Sequence, residues 1–389
     1  MEVDASFVRD VISLGGKSLK KCYQCAICSV ICPQSPDENP FPRKEMIWAQ
    51  WGLKEKLLKD ADIWLCHQCN DCSEYCPRGA KPGEVLAALR AKVVQEISFP
   101  SFFAKILMKP VGLIVYFAIP LILMSMYLAL TNPTIPEGEI VIGKFIPYAH
   151  VEIVGFALGA WVLFVAAVGM WRFWTSINST VSKVYEYEIK ENAELGVVRR
   201  SPRFIECLFW SIIDILKHSK FAECGKAKYR YYAHFLIFWG FIFLGLSTLG
   251  DVVYMYLIGV EELALPLSDP VKILGNIGAL LLFVGTLWAI VARFSDEKIG
   301  YGTYFDWVFL LTIFGVVVSG IVVEALRYAG NVGAYYAYLV HLVLVFTLLA
   351  YAPYSKFAHV LYRTLALSLI HISEPTRPLY ISYAVFCLK

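Results

Sequence analysis

Eight of the eleven cysteines lie in two copies of one pattern, Cys22-x2-Cys25-x2-Cys28-x3-Cys32-Pro33 and Cys66-x2-Cys69-x2-Cys72-x3-Cys76-Pro77. Three thiolates at this spacing wrap one cubane [4Fe-4S] centre on a tight loop. The fourth, followed by proline, reaches across to a second centre. The expected ligand sets are therefore Cys22, Cys25, Cys28 and Cys76 for one centre, and Cys66, Cys69, Cys72 and Cys32 for the other. Two zinc sites are the competing reading, but those usually use Cys-x2-Cys pairs separated by longer gaps. Two centres held in one small domain describe a wire for electrons and not a catalytic site. Eight thiols at ligand spacing also belong in a reducing compartment, where disulfides are rare.

Histidines form the second chemical set. An imidazole inside a membrane helix is costly unless it is satisfied, so the informative residues are His150, His234, His341 and His359. His341 and His359 are 18 residues apart. On one unbroken helix that is five turns, placing both on one face about 27 Å apart. Such a pair cannot share one haem, but it can serve two haems b, one near each surface, with Pro353 able to kink the helix between them. Depth selects the partners: His234 with His359 for an inner haem, and His150 with His341 for an outer one, although His341 should lie about 10 Å deeper than His150. Lys228, Arg230, Lys356 and Arg363 flank the inner pair, where they meet haem propionates or simply anchor helices at the inner surface. His67 is read as shaping the environment of the second cysteine loop, and His218 as a surface residue. Cys207 and Cys224 have no ligand spacing and are read as incidental thiols.

These residues need two kinds of scaffold. In residues 1–100, short helices between the cysteine loops fit a helical ferredoxin: Arg43 to Lys59 has an apolar face, and Pro82 opens a helix through Val85, Leu86, Leu89 and Val93. Beyond residue 105 six apolar stretches follow, at about 111–131, 150–171, 233–258, 272–292, 305–326 and 334–354. Each is near the roughly 20 residues that cross a bilayer. The predicted fold class is all-α: a two-cluster [4Fe-4S] ferredoxin domain over 1–100, then a six-helix transmembrane cytochrome b-type bundle over 105–363. An amphipathic stretch, Phe204 to Leu216, either lies on the membrane surface or docks the head.

Composition agrees with this division. Hydrophobic residues make up 58% of the chain and charged residues 17%, against about 25% charged in ordinary globular domains. A net charge of +3 gives no ground for nucleic-acid binding. The basic residues are instead distributed by side: Trp171 to Tyr232 carries Arg172, Lys183, Lys190, Arg199, Arg200, Arg203, Lys217, Lys220, Lys226, Lys228 and Arg230, whereas 259–271 has Glu261, Glu262 and Asp269 without Lys or Arg. The positive-inside rule then puts the head and the C-terminus in the cytoplasm, with the body in the inner membrane. No basic n-region opens the chain, so no secretory signal is expected. Residues 367–389, Leu367 to Arg377 and Ile381 to Lys389 in particular, look like in-frame translation of a sequencing-library adapter. His371 and Cys387 are accordingly discounted as ligands.

Residues 15–95 resemble the small iron–sulfur subunit of heterodisulfide reductases, on Cys22-Tyr-Gln-Cys25 through Cys32-Pro33, Asp62-Ile-Trp64-x-Cys66 and Cys76-Pro77-Arg78. Residues 105–363 resemble the haem b membrane subunit of those enzymes, itself similar to the gamma subunit of respiratory nitrate reductase. That family carries two histidines on its last haem-binding helix, matched by His341 and His359, and two on an earlier helix. Here His234 matches one of them, and the deeper position holds apolar residues such as Leu244. One chain joining both parts resembles the fused membrane subunit of the quinone-interacting membrane-bound oxidoreductase complex of sulfate reducers. The resemblance implies menaquinol as electron donor, flavoprotein partners resembling heterodisulfide reductase A, and adenylylsulfate reductase as eventual acceptor. Asp251 and Glu324 then become candidates to accept quinol protons, with pairing of Glu324 to Arg327 as the structural alternative. No G-x-G-x-x-G run is present, so flavin chemistry falls to another subunit. The alternatives are a haem-containing membrane subunit of a heterodisulfide reductase-type complex and a haem-free membrane anchor for a ferredoxin head.

Overall fold

Prolines and left-handed residues cut the N-terminal part into short helices. α1 (Ala5–Ser13) is capped by Asp4, whose carboxylate accepts from Ser6 N at 2.8 Å and Phe7 N at 3.1 Å. α2 (Ile27–Ile31), α3 (Arg43–Gln50), α4 (Lys54–Leu58) and α5 (Asp71–Glu74) follow, and α6 (Pro82–Ile97) opens on its proline. Pro is suited to a helix start because its missing N–H has no partner there. α6 buries Val85, Leu86, Leu89 and Val93 against Phe7, Val11, Met46 and Trp64. The computed structural model describes residues 2–35, 40–194, 204–222, 228–260, 265–295 and 302–373, with backbone alone at 178–194, 204, 219–220, 228 and 369–373. Among the described residues there is no strand, and the fold is all-α as the sequence predicts. Cys224, Cys387, Glu261, Glu262, Arg199, Arg200, Arg203, Lys226, Lys298 and the stretch after Ser373 lie outside the described residues, as do the side chains of Lys183, Lys190, Lys220, Lys228 and His371.

After α7 (Ser101–Leu107) come α8 (Gly112–Thr131), the short α9 (Ile142–Phe145), α10 (Tyr148–Glu194), α11 (Phe204–Lys217), α12 (Ser219–Ala222), α13 (Lys228–Val253), α14 (Pro270–Ser295), α15 (Tyr304–Tyr328), α16 (Gly333–Ala350) and α17 (Ala358–Ser373). Six helical stretches are long and apolar enough to cross a bilayer: 112–131, 148–177, 229–258, 270–295, 304–328 and 333–350. Their surfaces are open and apolar, with Ile114, Leu163, Leu249 and Leu280 all well exposed. A water-facing protein does not present contiguous apolar surface on that scale, whereas hydrocarbon accepts it. The chain is a multi-pass membrane protein.

Three features depart from the expected layout. The last span ends at Ala350 and gives way to a 3-10 turn, Ala352–Tyr354, containing Pro353. His341 and His359 therefore sit on separate helices, α16 and α17, and the five-turn spacing along one face does not apply. The reason is the proline, which has no N–H to continue the helical ladder. The second span also runs on past Trp171, because α10 carries Phe173 and Ile177 into the core of the head. There Phe173 and Tyr362 of α17 close around Trp64, with ring centroids 5.8 and 5.3 Å from it. Head and membrane helices thus share one core. Finally, α11 packs one side, with Cys207 and Ser211, against α17 and leaves Ile205, Phe209 and Ile212 exposed. One face of the amphipathic stretch packs against α17, and the other stays exposed.

Candidate functional site

The two cysteine loops repeat each other in backbone as well as sequence. Gln24 and Gln68 take φ of 65° and 54°, and Ala26 and Asn70 take 68° and 67°, at matching positions in the two runs. Left-handed backbone at non-glycine residues is uncommon and costs energy, and it persists where the surroundings enforce it. Here it turns each loop so that three sulfurs face inward. Backbone N–H groups then donate to sulfur: Gln68 N to Cys66 Sγ at 3.2 Å, and Ala80 N to Cys76 Sγ at 3.3 Å.

Which thiols meet is visible in their mutual electrostatics. Burial raises Cys22, and nearby Cys76 and Cys25 raise it further. Burial pushes Cys28 up to about 11, with Cys22, Cys25 and Cys76 adding to it. Burial likewise pushes Cys32 up to about 12, with Cys66 and Cys69 adding to it. Cys72 is raised by burial and then by Cys66, Cys69 and Cys32. The structure thus places Cys76 near the first run and Cys32 near the second, with Cys28 also close to Cys32 and Cys72. Cys32, Cys66, Cys69 and Cys72 also line one cavity, together with Phe41 and Leu86. Thiolates gathered this closely repel one another by themselves and become favourable around cationic metal. The donor set fits two iron–sulfur centres.

The inner histidines also meet. His234 of α13 and His359 of α17 have ring centroids 6.1 Å apart. Two metal–imidazole bonds of about 2 Å plus a ring radius of roughly 1.2 Å on each side come to about 6.4 Å, so the ring separation matches that of two ligands to one metal ion. Each ring has its Nδ1 engaged elsewhere: His359 with Lys356 O, and His234 with His218 Nε2 at 3.0 Å. Nε2 of each is left for a metal, and the partner on Nδ1 fixes the tautomer. Burial lowers His359 to about 4 and lowers His218 as well, so both are neutral and able to ligate or accept.

His218 corrects the sequence reading. It is 8% exposed, not a surface residue. Its φ of 52° ends α11 and folds the ring back onto α13, next to His234. The one signal in the sequence was its place directly after an amphipathic run. The flanking cations are also reassigned. Arg363 Nη1 donates to Trp64 O at 2.9 Å and to the carbonyls of Leu65 and Cys66 at 3.4 Å, and Nη2 meets His67 Nε2 at 2.8 Å. Arg230 donates to Gln68 O. Lys356 pairs with Asp306. Arg230 and Arg363 bind the second cysteine loop, and Lys356 ties α15 to the segment before α17.

The outer histidines make separate contacts. His150 Nδ1 meets Tyr127 Oη at 2.9 Å, whereas His341 Nδ1 meets Ser319 Oγ at 2.9 Å and Val316 O at 3.1 Å. The rings belong to different neighbours, α8 and α15. Glu324 pairs with Lys272 at 3.1 Å and accepts from Asn276 at 3.0 Å, so its partner is not Arg327. Sequence reading also missed a buried ionic cluster in the head. Lys44 Nζ lies 3.3, 3.2 and 2.6 Å from Glu45, Asp60 and Asp62, carboxylates whose oxygens lie within 4.8 Å of one another. The lysine lies among the carboxylates, and Asp60 also accepts from Asp62 N at 3.3 Å.

Two family profiles match the chain. The profile of the 4Fe-4S dicluster domain matches residues 18–80, and that of citrate utilization protein B matches residues 104–378. The second match runs into the adapter-like segment. The chain is similar to one subunit of the H(2):CoB-CoM heterodisulfide,ferredoxin reductase of Methanothermobacter marburgensis, at 35% identity over 89 residues, 23% of this chain and 48% of that protein. It is similar to an iron–sulfur subunit of the CoB--CoM heterodisulfide reductase of Methanocaldococcus jannaschii, at 37% over 103 residues, 24% of this chain and 55% of that protein. It is also similar to one subunit of the dihydromethanophenazine:CoB--CoM heterodisulfide reductase of Methanosarcina mazei, at 33% over 173 residues, 40% of this chain and 64% of that protein. The chain spans about half the length of the first of these curated relatives. No solved structure gives a significant match. A dicluster part like the iron–sulfur subunit of heterodisulfide reductases and a membrane part like the Methanosarcina relative are joined in one polypeptide.

Proposed function

The chain belongs to the citrate utilization protein B family, and from that membership, together with its dicluster head, we propose that it relays electrons from menaquinol in the membrane to a soluble flavoprotein. That it is a membrane electron-transfer subunit with an iron–sulfur domain follows from its relatives. The finer reading rests on one observation: His234 and His359, from different helices, converge beside a cysteine loop that membrane-part arginines hold.

A haem b bound there would accept single electrons and pass them on. His234 and His359 would hold its iron, His218 and the Lys356 carbonyl would fix the two imidazoles, and Cys22, Cys25, Cys28, Cys76 and Cys66, Cys69, Cys72, Cys32 would hold the two [4Fe-4S] centres. Each ligand position is set by a helix or an enforced turn, so little reorganisation accompanies charge movement. The basic 171–232 segment favours a cytoplasmic head. Adenylylsulfate reductase is the eventual acceptor in this reading, and menaquinol takes the place of the dihydromethanophenazine for which the Methanosarcina relative is named. That relative's name favours a second reading, membership of a heterodisulfide reductase-type complex, which differs only in acceptor.

The test is reduction by a quinol. In proteoliposomes, duroquinol should reduce a haem b absorption band in the native chain. His359→Ala should abolish that band while non-haem iron stays unchanged. A native chain that binds iron but shows no haem band would leave only a membrane anchor for a ferredoxin head.

A further inference from the structure

The two cysteine loops share a backbone but not a fastening. The first is held from within the head: Arg43 Nε donates to Gln24 O at 3.1 Å, and Gln50 Nε2 donates to Leu19 O and Cys22 O, each at 3.0 Å. The second is held by Arg90 of α6, whose Nη1 donates to Cys66 O at 3.0 Å, and also by Arg230 and Arg363, which arrive from the membrane part. From that second loop a line of rings leads to the histidine pair. His67, next to Cys66, stacks on Phe221 with centroids 4.9 Å apart and planes inclined by 14°. Phe221 meets His234 edge-on at 5.7 Å, and His234 faces His359. The first loop is the more exposed of the two. Cys25 is the one exposed thiol of the eight. Around it Tyr23 and Val30 are 67% and 84% exposed, and the Arg78 guanidinium lies 4.0 Å over the Tyr23 ring. An apolar rim with a basic edge suits a transient protein contact.

We propose that the electron path has a fixed order. It leads from the His234–His359 position through His67 and Phe221 to the centre held by Cys66, Cys69, Cys72 and Cys32. It leaves through the centre held by Cys22, Cys25, Cys28 and Cys76, at the Tyr23–Val30 rim, where a soluble flavoprotein docks. This order rests on the haem reading above. One electron would move at each step: a haem iron held by His234 and His359 would give it up, and the centre held by Cys66, Cys69, Cys72 and Cys32 would take it and pass it to the centre held by Cys22, Cys25, Cys28 and Cys76. No bond is made or broken along the path. A quinol supplies two electrons in succession and releases its two protons at the donor end, and the flavin of the acceptor is reduced. Tunnelling falls steeply with the gap between centres, and stacked rings that fill a gap carry it better than an opening would.

The order is tested by running it backwards. The full-length chain in detergent is reduced with dithionite and mixed with duroquinone, with haem followed by absorption and clusters by freeze-quench EPR. His67→Ala and Phe221→Leu should keep native haem and iron contents and native haem oxidation, while cluster oxidation lags by about tenfold or more. Phe221→Leu carries the test should the histidine variant lose a cluster. Cys25→Ser should leave the remaining centre emptying together with the haem, and Cys69→Ser should not. Unchanged cluster oxidation in both bridge variants, or the opposite result for the two cysteines, overturns the order while the haem reading stands. A native chain without a haem band overturns both.

Discussion

Cys32 and Cys76 each close the set begun by the other loop, and this makes a prediction that an uncrossed pairing would not. Cys32→Ala should remove the centre that contains Cys66, Cys69 and Cys72, with about half of the non-haem iron lost. The EPR signal that persists should be the one sensitive to Cys25→Ser. Uncrossed ligation would give the reverse. The buried carboxylates predict a pH effect. Burial and then Asp60 push the Glu45 carboxyl well above its ordinary value of 4.5. The folded state therefore keeps a proton that the unfolded chain releases, and stability is lost as pH rises from the ordinary carboxyl range through the raised value. Glu45→Gln should melt within about 1 kcal/mol of the native chain at neutral pH and lose less stability than it on going to about pH 9, by differential scanning fluorimetry. A larger alkaline loss in the variant would contradict this. Spacing alone made the cysteines legible. His218 was not, because its role comes from a left-handed turn between two helices that no local pattern announces.

At the scale of elements, the position of His234 depends on how closely α13 and α14 approach. A Cβ on Gly240 would lie 2.9 Å from Leu282 N, and one on Gly278 would lie 2.9 Å from Leu244 N. The small residues let the two backbones touch, as in many membrane helix pairs. Gly285 continues the seam, where a Cβ would come within 2.9 Å of Ala233 O, the residue before His234. Gly285→Val should cost roughly 1–3 kcal/mol of packing and move α13 outward. Haem content per polypeptide, measured as the pyridine haemochrome, should fall while cluster content holds. Normal haem in that variant would mean His234 is not positioned by this seam. Hydrophobic runs gave the six spans closely because length and apolarity are local properties. The break at Pro353 turned the expected His341–His359 ladder into two helices, and which ring each histidine meets depends on neighbours far away in sequence.

For the whole molecule, the surprise is that the head is built onto the membrane bundle instead of being tethered to it. Trp64, Phe173 and Tyr362 form one aromatic contact across three parts of the chain. Arg172 donates to Ser98 O at 3.2 Å, and Tyr354 to Phe99 O at 2.7 Å. Phe173→Ala should weaken this joint by about 3 kcal/mol. Limited proteolysis in proteoliposomes should then release the head faster, with the haem band unchanged. Composition announced two parts, a charged head and an apolar body, but the core they share is built from residues more than a hundred positions apart and had no local signature.

The account as a whole stands on cofactor stoichiometry. Haem and non-haem iron should be determined on one purified full-length preparation, alongside its reduced-minus-oxidised spectrum. About eight non-haem irons per chain with a b-type band that His234→Ala removes is the predicted result. Fewer than eight such irons, or a colourless Soret region in material that is otherwise folded, would contradict it.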